Sequence, residues 1–445
     1  MQLTTQGKNI RQALMTASTA LLGSLTVASA VQAAEPVDTS WKVDSALLLY
    51  KENEGRVQAA EPVVSLKKDL DEDHSLTVKL VADSLTGASP NGAARAGKVQ
   101  TFTGPSGSAQ YSAQPGKLPL DNQFKDTRAA VTVAYVRPAG ENARMTLGGN
   151  ISGEYDFQSV ALNGAYAKDI NGKNTTLSAG LNVEFDNIDA VGGAPEPLSV
   201  VWQSKKNGGD TKTLAEVLLG VTQVVNRNLL FQINYSLASG SGYQSDPYKV
   251  VTLLDGANNL IADPSGAVNR YGYLYESRPD AHTRHGLFGV MKYHTGGGQV
   301  VEGSYRFTTD DWGISSHTLD AKYYLPLGGN GWYVEPHLRF YTQTAADFYT
   351  PWLTQGADFT LAGATVTPLV THASADPRLA AMDATTIGFR VGKRMGRDSD
   401  LSLRLEQYEQ QGTGVNAPAT GDLAGVDQNP ALKAMIVQVG YSFRW

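Results

Sequence analysis

The last eleven residues alternate strictly. Met435, Val437, Val439, Tyr441, Phe443 and Trp445 fall on one side of an extended backbone, and Ile436, Gln438, Gly440, Ser442 and Arg444 on the other, because side chains two apart share a strand face. The same beat sets Leu401, Leu403 and Leu405 against Ser402, Arg404 and Glu406, and Trp332, Val334, Leu338 and Phe340 against Glu335, His337 and Arg339. It recurs at Leu229, Phe231, Ile233 and Tyr235 against Gln232, Asn234 and Ser236, and at Leu76, Val78 and Leu80 against Thr77 and Lys79. Extended over the chain, it predicts strands near 41–52, 56–67, 75–84, 127–138, 143–155, 157–168, 174–186, 212–225, 228–238, 284–294, 298–308, 314–325, 331–342, 383–393, 399–409 and 433–445.

A soluble sandwich alternates too, with its polar face to water, so connection lengths must decide. Every second connection is a tight turn: Asp69 to His74, Pro138 to Asn142, Asp169 to Lys173, Val225 to Arg227, Thr295 to Gly297, Pro326 to Asn330, Gly396 to Asp398. The interleaved connections hold all the long ones, 85–126, 187–211, 239–283, 343–382 and 410–432. Short periplasmic turns and long extracellular loops are the construction of a transmembrane barrel. The expected fold is therefore all-β: a single antiparallel outer-membrane barrel of about 16 strands. Loop residues Leu85 to Gly116, rich in Gly, Ser, Ala and Pro, either fold into the lumen as a constriction or stay exposed.

Composition narrows the picture. Lys8 and Arg11, the apolar stretch Ala13 to Val27 and the small residues around Ala33 read as a signal peptide over 1–33, with the barrel occupying 34–445. There is no cysteine, so neither disulfides, thiol chemistry nor a lipoprotein anchor is expected. The chain carries 37 basic and 43 acidic residues, a balance that excludes a typical nucleic-acid binder. No later segment approaches the 18 consecutive apolar residues of a membrane helix. The aromatic ending Tyr441, Phe443, Trp445 resembles the assembly signal of outer-membrane barrels, so the expected partners include the barrel-assembly machinery and outer-membrane lipids.

Five segments carry a family resemblance: Asp83 to Gly92, Tyr243 to Val251, Arg278 to His285, Thr309 to Ile314, and Glu335 to Arg339. They resemble a family of exported bacterial proteins known only as domain of unknown function 3570. The resemblance implies an outer-membrane barrel without an established activity. Family genes often neighbour those of a small lipoprotein, a thioredoxin-like protein and a flavin transferase, which implies periplasmic lipoprotein or redox partners.

The family-like motifs gather charge at the expected extracellular mouth: Asp83, Asp246, Arg278, Asp280, His285, Asp310, Asp311 and His317, with Asp347, His372 and Asp376 in a third loop on the same side. Carboxylates beside imidazoles suit a divalent metal or a solute site; a salt-bridged loop framework needs the same residues. No helical His spacing of a zinc protease occurs, and no cofactor is expected. Alternation turns Glu302, Arg306, Asp320, Lys322, Glu335, His337, Arg339, Arg390, Arg404 and Glu406 into the lumen, where mixed signs fit bracing or a zwitterionic lining better than a ring of one sign. The leading functional expectation is a channel or transport component for a small polar or charged solute. Its rivals are a non-conducting surface-binding or redox-associated barrel and a hydrolase at the mouth, for which Ser84, Ser89, Ser315 and Ser316 are the positional nucleophile candidates.

Overall fold

The structure, a computed structural model, describes residues 38–103, 110–201, 208–263 and 265–445; the expected signal peptide lies outside the described residues. Sixteen strands close into one antiparallel barrel. In chain order they are β1 (Trp41–Glu52), β2 (Gln58–Asp69), β3 (Ser75–Pro90), β4 (Leu120–Pro138), β5 (Ala143–Gly153), β6 (Phe157–Ile170), β7 (Thr175–Ile188), β8 (Asp210–Asn226), β9 (Leu229–Gly242), β10 (Ala281–His294), β11 (Val300–Asp310), β12 (Ser315–Leu327), β13 (Trp332–Gln343), β14 (Met382–Met395), β15 (Ser399–Gly412) and β16 (Leu432–Arg444). Each pairs with its sequence neighbours, and β1 closes on β16 from Lys42 opposite Arg444 to Glu52 opposite Ala434. Reciprocal 2.8 Å bonds between the Trp41 and Trp445 backbones finish the seam.

Closure removes the free edges that make an open sheet prone to aggregation. It leaves an outer surface of large apolar side chains, among them Leu162, Leu181, Ile387 and Met435, each more than half exposed. A soluble protein does not display such a belt; hydrocarbon covers it. Aromatic residues mark its lower border at Tyr293, Trp332 and Trp445 and its upper border at Tyr235, Tyr305 and Phe340, as at the two interfaces of membrane barrels. Near the lower border the rings of Tyr441 and Phe443 stack 5.1 Å apart.

The two rims differ. One carries only the turns 70–74, 139–142, 171–174, 227–228, 295–299, 328–331 and 396–398. The other carries three short turns and the long connections 91–119, 189–209, 243–280, 344–381 and 413–431. The wall rises further on this side than the alternation predicts: β3 continues to Pro90 and β4 begins at Leu120. At 19 residues, β4 is nearly twice the roughly 9–11 residues that cross hydrocarbon.

All five long connections pack into one cap. A small sheet joins Val250–Leu254 to Tyr273–Tyr275 antiparallel and to Trp352–Thr354 parallel. On it sits a core of Val200, Val251, Leu253, Leu274, Leu353, Phe359 and Ala373; a second core joins Ala94, Ala96, Leu254, Leu260 and Leu423. The segment after β3 is thus neither a free constriction nor a loose loop. Its described residues are part of the cap, with a hairpin of Gln100–Thr103 and Gln110–Ala113.

Orientation can be read at the cap's hairpin tips. Gly256 and Gly356 have open space where a Cβ would stand, whereas at Gly421 it would lie 2.1 Å from the Asn258 carbonyl oxygen. Epitope tags at Gly256 or Gly356 should label on intact cells, and tags at Gly172 or Gly329, on the opposite rim, should not. The reverse labelling would turn the barrel upside down.

Candidate functional site

Two polar constellations stand out, one inside the cap and one on the lumen wall. The first starts from the turn after β11. Asp310 accepts from the Trp312 and Ile314 backbones at 3.1 and 2.8 Å and lies 2.9 Å from His282 Nε2. Asp311 accepts from the Thr283 backbone at 2.9 Å. These bonds present the Trp312 ring, which stacks on His282 at 3.9 Å and packs on Ala346 and Leu379 of the cap. Gly313 has a φ of +85°, and a Cβ there would fall 2.3 Å from Asp347 Oδ1, so the motif Asp310-Asp311-Trp312-Gly313 clips the cap to the wall.

Beside this clip, six charges, five buried and Arg378 half-buried, form a knot: Asp246, Lys249, Glu276, Arg278, Asp376 and Arg378. Arg278 reaches Glu276 Oε1 at 2.7 Å and Asp376 Oδ2 at 2.7 Å. Arg378 holds Asp376 through Nε at 2.7 Å and lies 3.7 Å from Asp246. Ser374 donates to Glu276 at 2.5 Å, and Lys249 donates to the Pro90 carbonyl at the top of β3. Three acids balance three bases, the condition under which ions tolerate burial. Burial pushes the Lys249 ammonium down to about 8 against the pull of Asp246. It lowers the Arg378 guanidinium also, although a guanidinium keeps its charge at any physiological pH.

The expected mouth residues separate accordingly. Asp246 and Arg278 enter the knot, Asp310 and Asp311 form the clip, and Asp83 pairs with Arg128 at 2.7 Å in the wall. Asp280 is exposed. His285 and His317 do not join them: both face outward at the upper aromatic border, 2.8 Å from the Tyr235 hydroxyl and 2.7 Å from that of Tyr305. The imidazole that meets Asp310 is His282, three residues from His285 and so on the opposite face. Counting back from the lipid-facing Met291 and Leu287 would have found it. Glu276, Lys249 and Arg378 were missed because the contacts that gather them into one knot cross between connections, from Ser374 to Glu276 over 98 residues and from Lys249 to Pro90 over 159. Among the described residues, no three His, Asp or Glu converge as metal ligands would.

The second constellation runs along the inner wall from β10 to β15. Glu302 links Lys292 at 2.8 Å to Lys322 at 3.2 Å, and Lys322 lies 3.7 Å from Asp320. Asp320 takes Arg339 at 2.7 Å and His337 Nε2 at 2.9 Å. His337 Nδ1 continues to Glu406 at 2.7 Å, reaching across β14 where Gly388 offers no side chain. Carboxylates only accept, so both contacts are met together when both ring nitrogens carry hydrogen. Glu406 then meets Arg404 at 3.4 Å, and Glu335 lies 3.8 Å from Arg404 and 3.7 Å from Arg390. Arg306 stands apart from this ladder, its guanidinium 5.1 Å from the centroid of the Phe288 ring. Across the lumen, β5 to β7 present short uncharged groups such as Thr146, Asn150, Asn163, Ser178 and Asn182.

A closed sixteen-strand antiparallel barrel with an apolar outer belt is an outer-membrane β-barrel. The chain belongs to the family described as protein of unknown function (DUF3570), whose model matches residues 11–443. Similar solved structures include a bacterial polysaccharide outer membrane secretin, with 10% identity over 92% of this chain and 99% of that one and a TM-score of 0.43. OccK2 (OpdF) of Pseudomonas aeruginosa in complex with glucuronate shares 9% identity over 92% and 98% of the two chains, with a TM-score of 0.39. A mutant ferric enterobactin receptor of the same organism shares 9% over 92% and 61%, with a TM-score of 0.41. At such identities the likeness extends to the fold alone. No curated protein matches the sequence.

Proposed function

We propose that the protein is an outer-membrane passage for a small polar or charged solute, narrowed at its extracellular end by the cap. The observation that carries this reading is open space inside the barrel. Leu218 points inward from β8 yet is 41% exposed, and the inward-facing Arg284 and Arg306 are exposed as well. Packed interiors leave no such accessibility, so these side chains border water. The charged ladder on one wall and the short Ser, Thr and Asn groups on the other would offer a polar solute hydrogen bonds on both sides.

A second reading, a non-conducting barrel that binds a partner or ligand at the surface or serves an envelope lipoprotein or redox partner, is favoured by the cap having hydrophobic cores of its own. Single-channel recording in planar bilayers separates the two. The wild-type protein should conduct weakly, and Trp312→Ala, which removes the ring clipping the cap, should raise conductance several-fold. Silence from both proteins, with folding confirmed by heat-modifiable migration, would leave the binding reading in possession.

A further inference from the structure

We infer that a cavity between the cap and the barrel seam binds a small uncharged ring-bearing molecule that carries a hydrogen-bond-accepting oxygen. The site goes beyond the passage reading and stands whether or not the barrel conducts. Its volume is about 240 Å³. Wall residues Leu48, Tyr50, Tyr408 and Ile436 form one side; Tyr349 and Pro377 of the cap face them. For scale, an apolar cavity of about 150 Å³ admits benzene, so a substituted single ring fits this one.

The polar groups of the lining set the ligand's chemistry. Most are already satisfied by one another: the Tyr50 hydroxyl donates to Glu52 at 3.0 Å and that of Tyr408 to Gln410 at 2.8 Å, so both rings offer apolar surface. Two donors are left over. Arg56 is only 8% exposed; its Nε lies 3.1 Å from Glu52 without forming a hydrogen bond, and its terminal nitrogens make none among the described residues. The Tyr349 hydroxyl likewise has none, and burial pushes it up to about 12, so it stays protonated as a donor. An acceptor oxygen on the ligand would pair with these donors, which no side chain of the lining satisfies.

Charge decides against an anion. Arg56 is neutralised by Glu52 and Arg378 by Asp376, while Arg95 lies 3.6 Å from Asp427 and donates to the Gly116 carbonyl. No net positive charge remains to offset the desolvation of a carboxylate, which is costly without a partner.

The test uses the full chain folded in amphipol, with acetophenone, toluene and benzoate as probes, followed by equilibrium dialysis and saturation-transfer NMR. Acetophenone should bind saturably at one per chain, with toluene and benzoate each about tenfold weaker or more, a difference of about 1.4 kcal/mol. Leu432→Trp, at a half-buried lining position, should fill the space and weaken acetophenone at least tenfold. Tyr349→Phe keeps the shape, loses one donor and should cost about three- to tenfold. Heat-modifiable migration certifies that each variant is folded. The inference is overturned by no saturable binding, by undiminished binding in a folded Leu432→Trp, or by benzoate binding tighter than acetophenone.

Discussion

Replacing Arg278 with leucine should destabilise the cap by about 3–5 kcal/mol while the barrel stays intact, because losing one partner of a buried pair leaves its counter-charges uncompensated. Arg278 is 4% exposed and contacts both Glu276 and Asp376, themselves at 1%. Leucine removes the cation in direct contact with both, and leaves Arg378 as the remaining ion-pair partner of Asp376 among the described residues. The cap's connection to the wall at Pro90, through Lys249, then loses its charge balance. Limited proteolysis at the hairpin tips around Gly256 and Gly356 should become fast, while the heat-modifiable gel shift of the barrel persists. Arg278→Lys keeps the charge but cannot fork to two carboxylates, and should fall between the two. Unchanged protease resistance in Arg278→Leu would show that the apolar cores hold the cap without the knot.

The second large effect is expected at Gly388. A Cβ there would stand 2.3 Å from the Leu405 carbonyl oxygen and 2.5 Å from Glu406 Cγ, the first a backbone atom that cannot swing aside. Valine at this position should force β14 and β15 apart and displace Glu406 from His337, severing the inner ladder where it crosses from β13 to β15. Overpacking alone costs about 1–3 kcal/mol, and the separated charges add to it. The urea midpoint of barrel unfolding should drop accordingly, and Gly388→Ala should show a smaller loss of the same sign. A midpoint equal to wild type would mean that the ladder is decoration on a wall held by backbone bonds.

Most of the barrel was legible in the sequence because lipid enforces the code. A polar side chain at the hydrocarbon face is so unfavourable that Leu401, Leu403 and Leu405 cannot trade places with Ser402, Arg404 and Glu406, and all sixteen strands appear in the predicted order. Above the membrane that enforcement ends. Leu85 is buried among wall residues such as Leu48 and Ala59 and Ala88 is buried beside Arg56, while Thr86 between them is exposed, so the alternation weakens and the expected strand stopped at 84 rather than Pro90. The lumen ladder was legible as a set of inward charges, since parity alone selects Asp320, His337 and Glu406. Which of them touch was not, because His337 reaches Glu406 only through the gap at Gly388. The knot was half visible: the motifs hold Asp246 and Arg278 and the 343–382 loop offered Asp376, but nothing local pointed to Glu276 and Arg378.

The wall and the cap also differ in the span of chain each contact must close. Every stave but the seam pair lies against its neighbour in sequence, so the tube can zip from one hairpin to the next with short loops to close. The cap has no such order of assembly. Arg95 and Gln428 bind across 333 residues, Leu423 completes the core begun by Ala94 and Ala96, and the cavity beside them needs β1, β16 and three of the five connections at once. Contacts of such separation come late in folding. The cap is therefore the last part of the molecule to exist: a chain released before its final strand is in place would have most of its wall and no pocket.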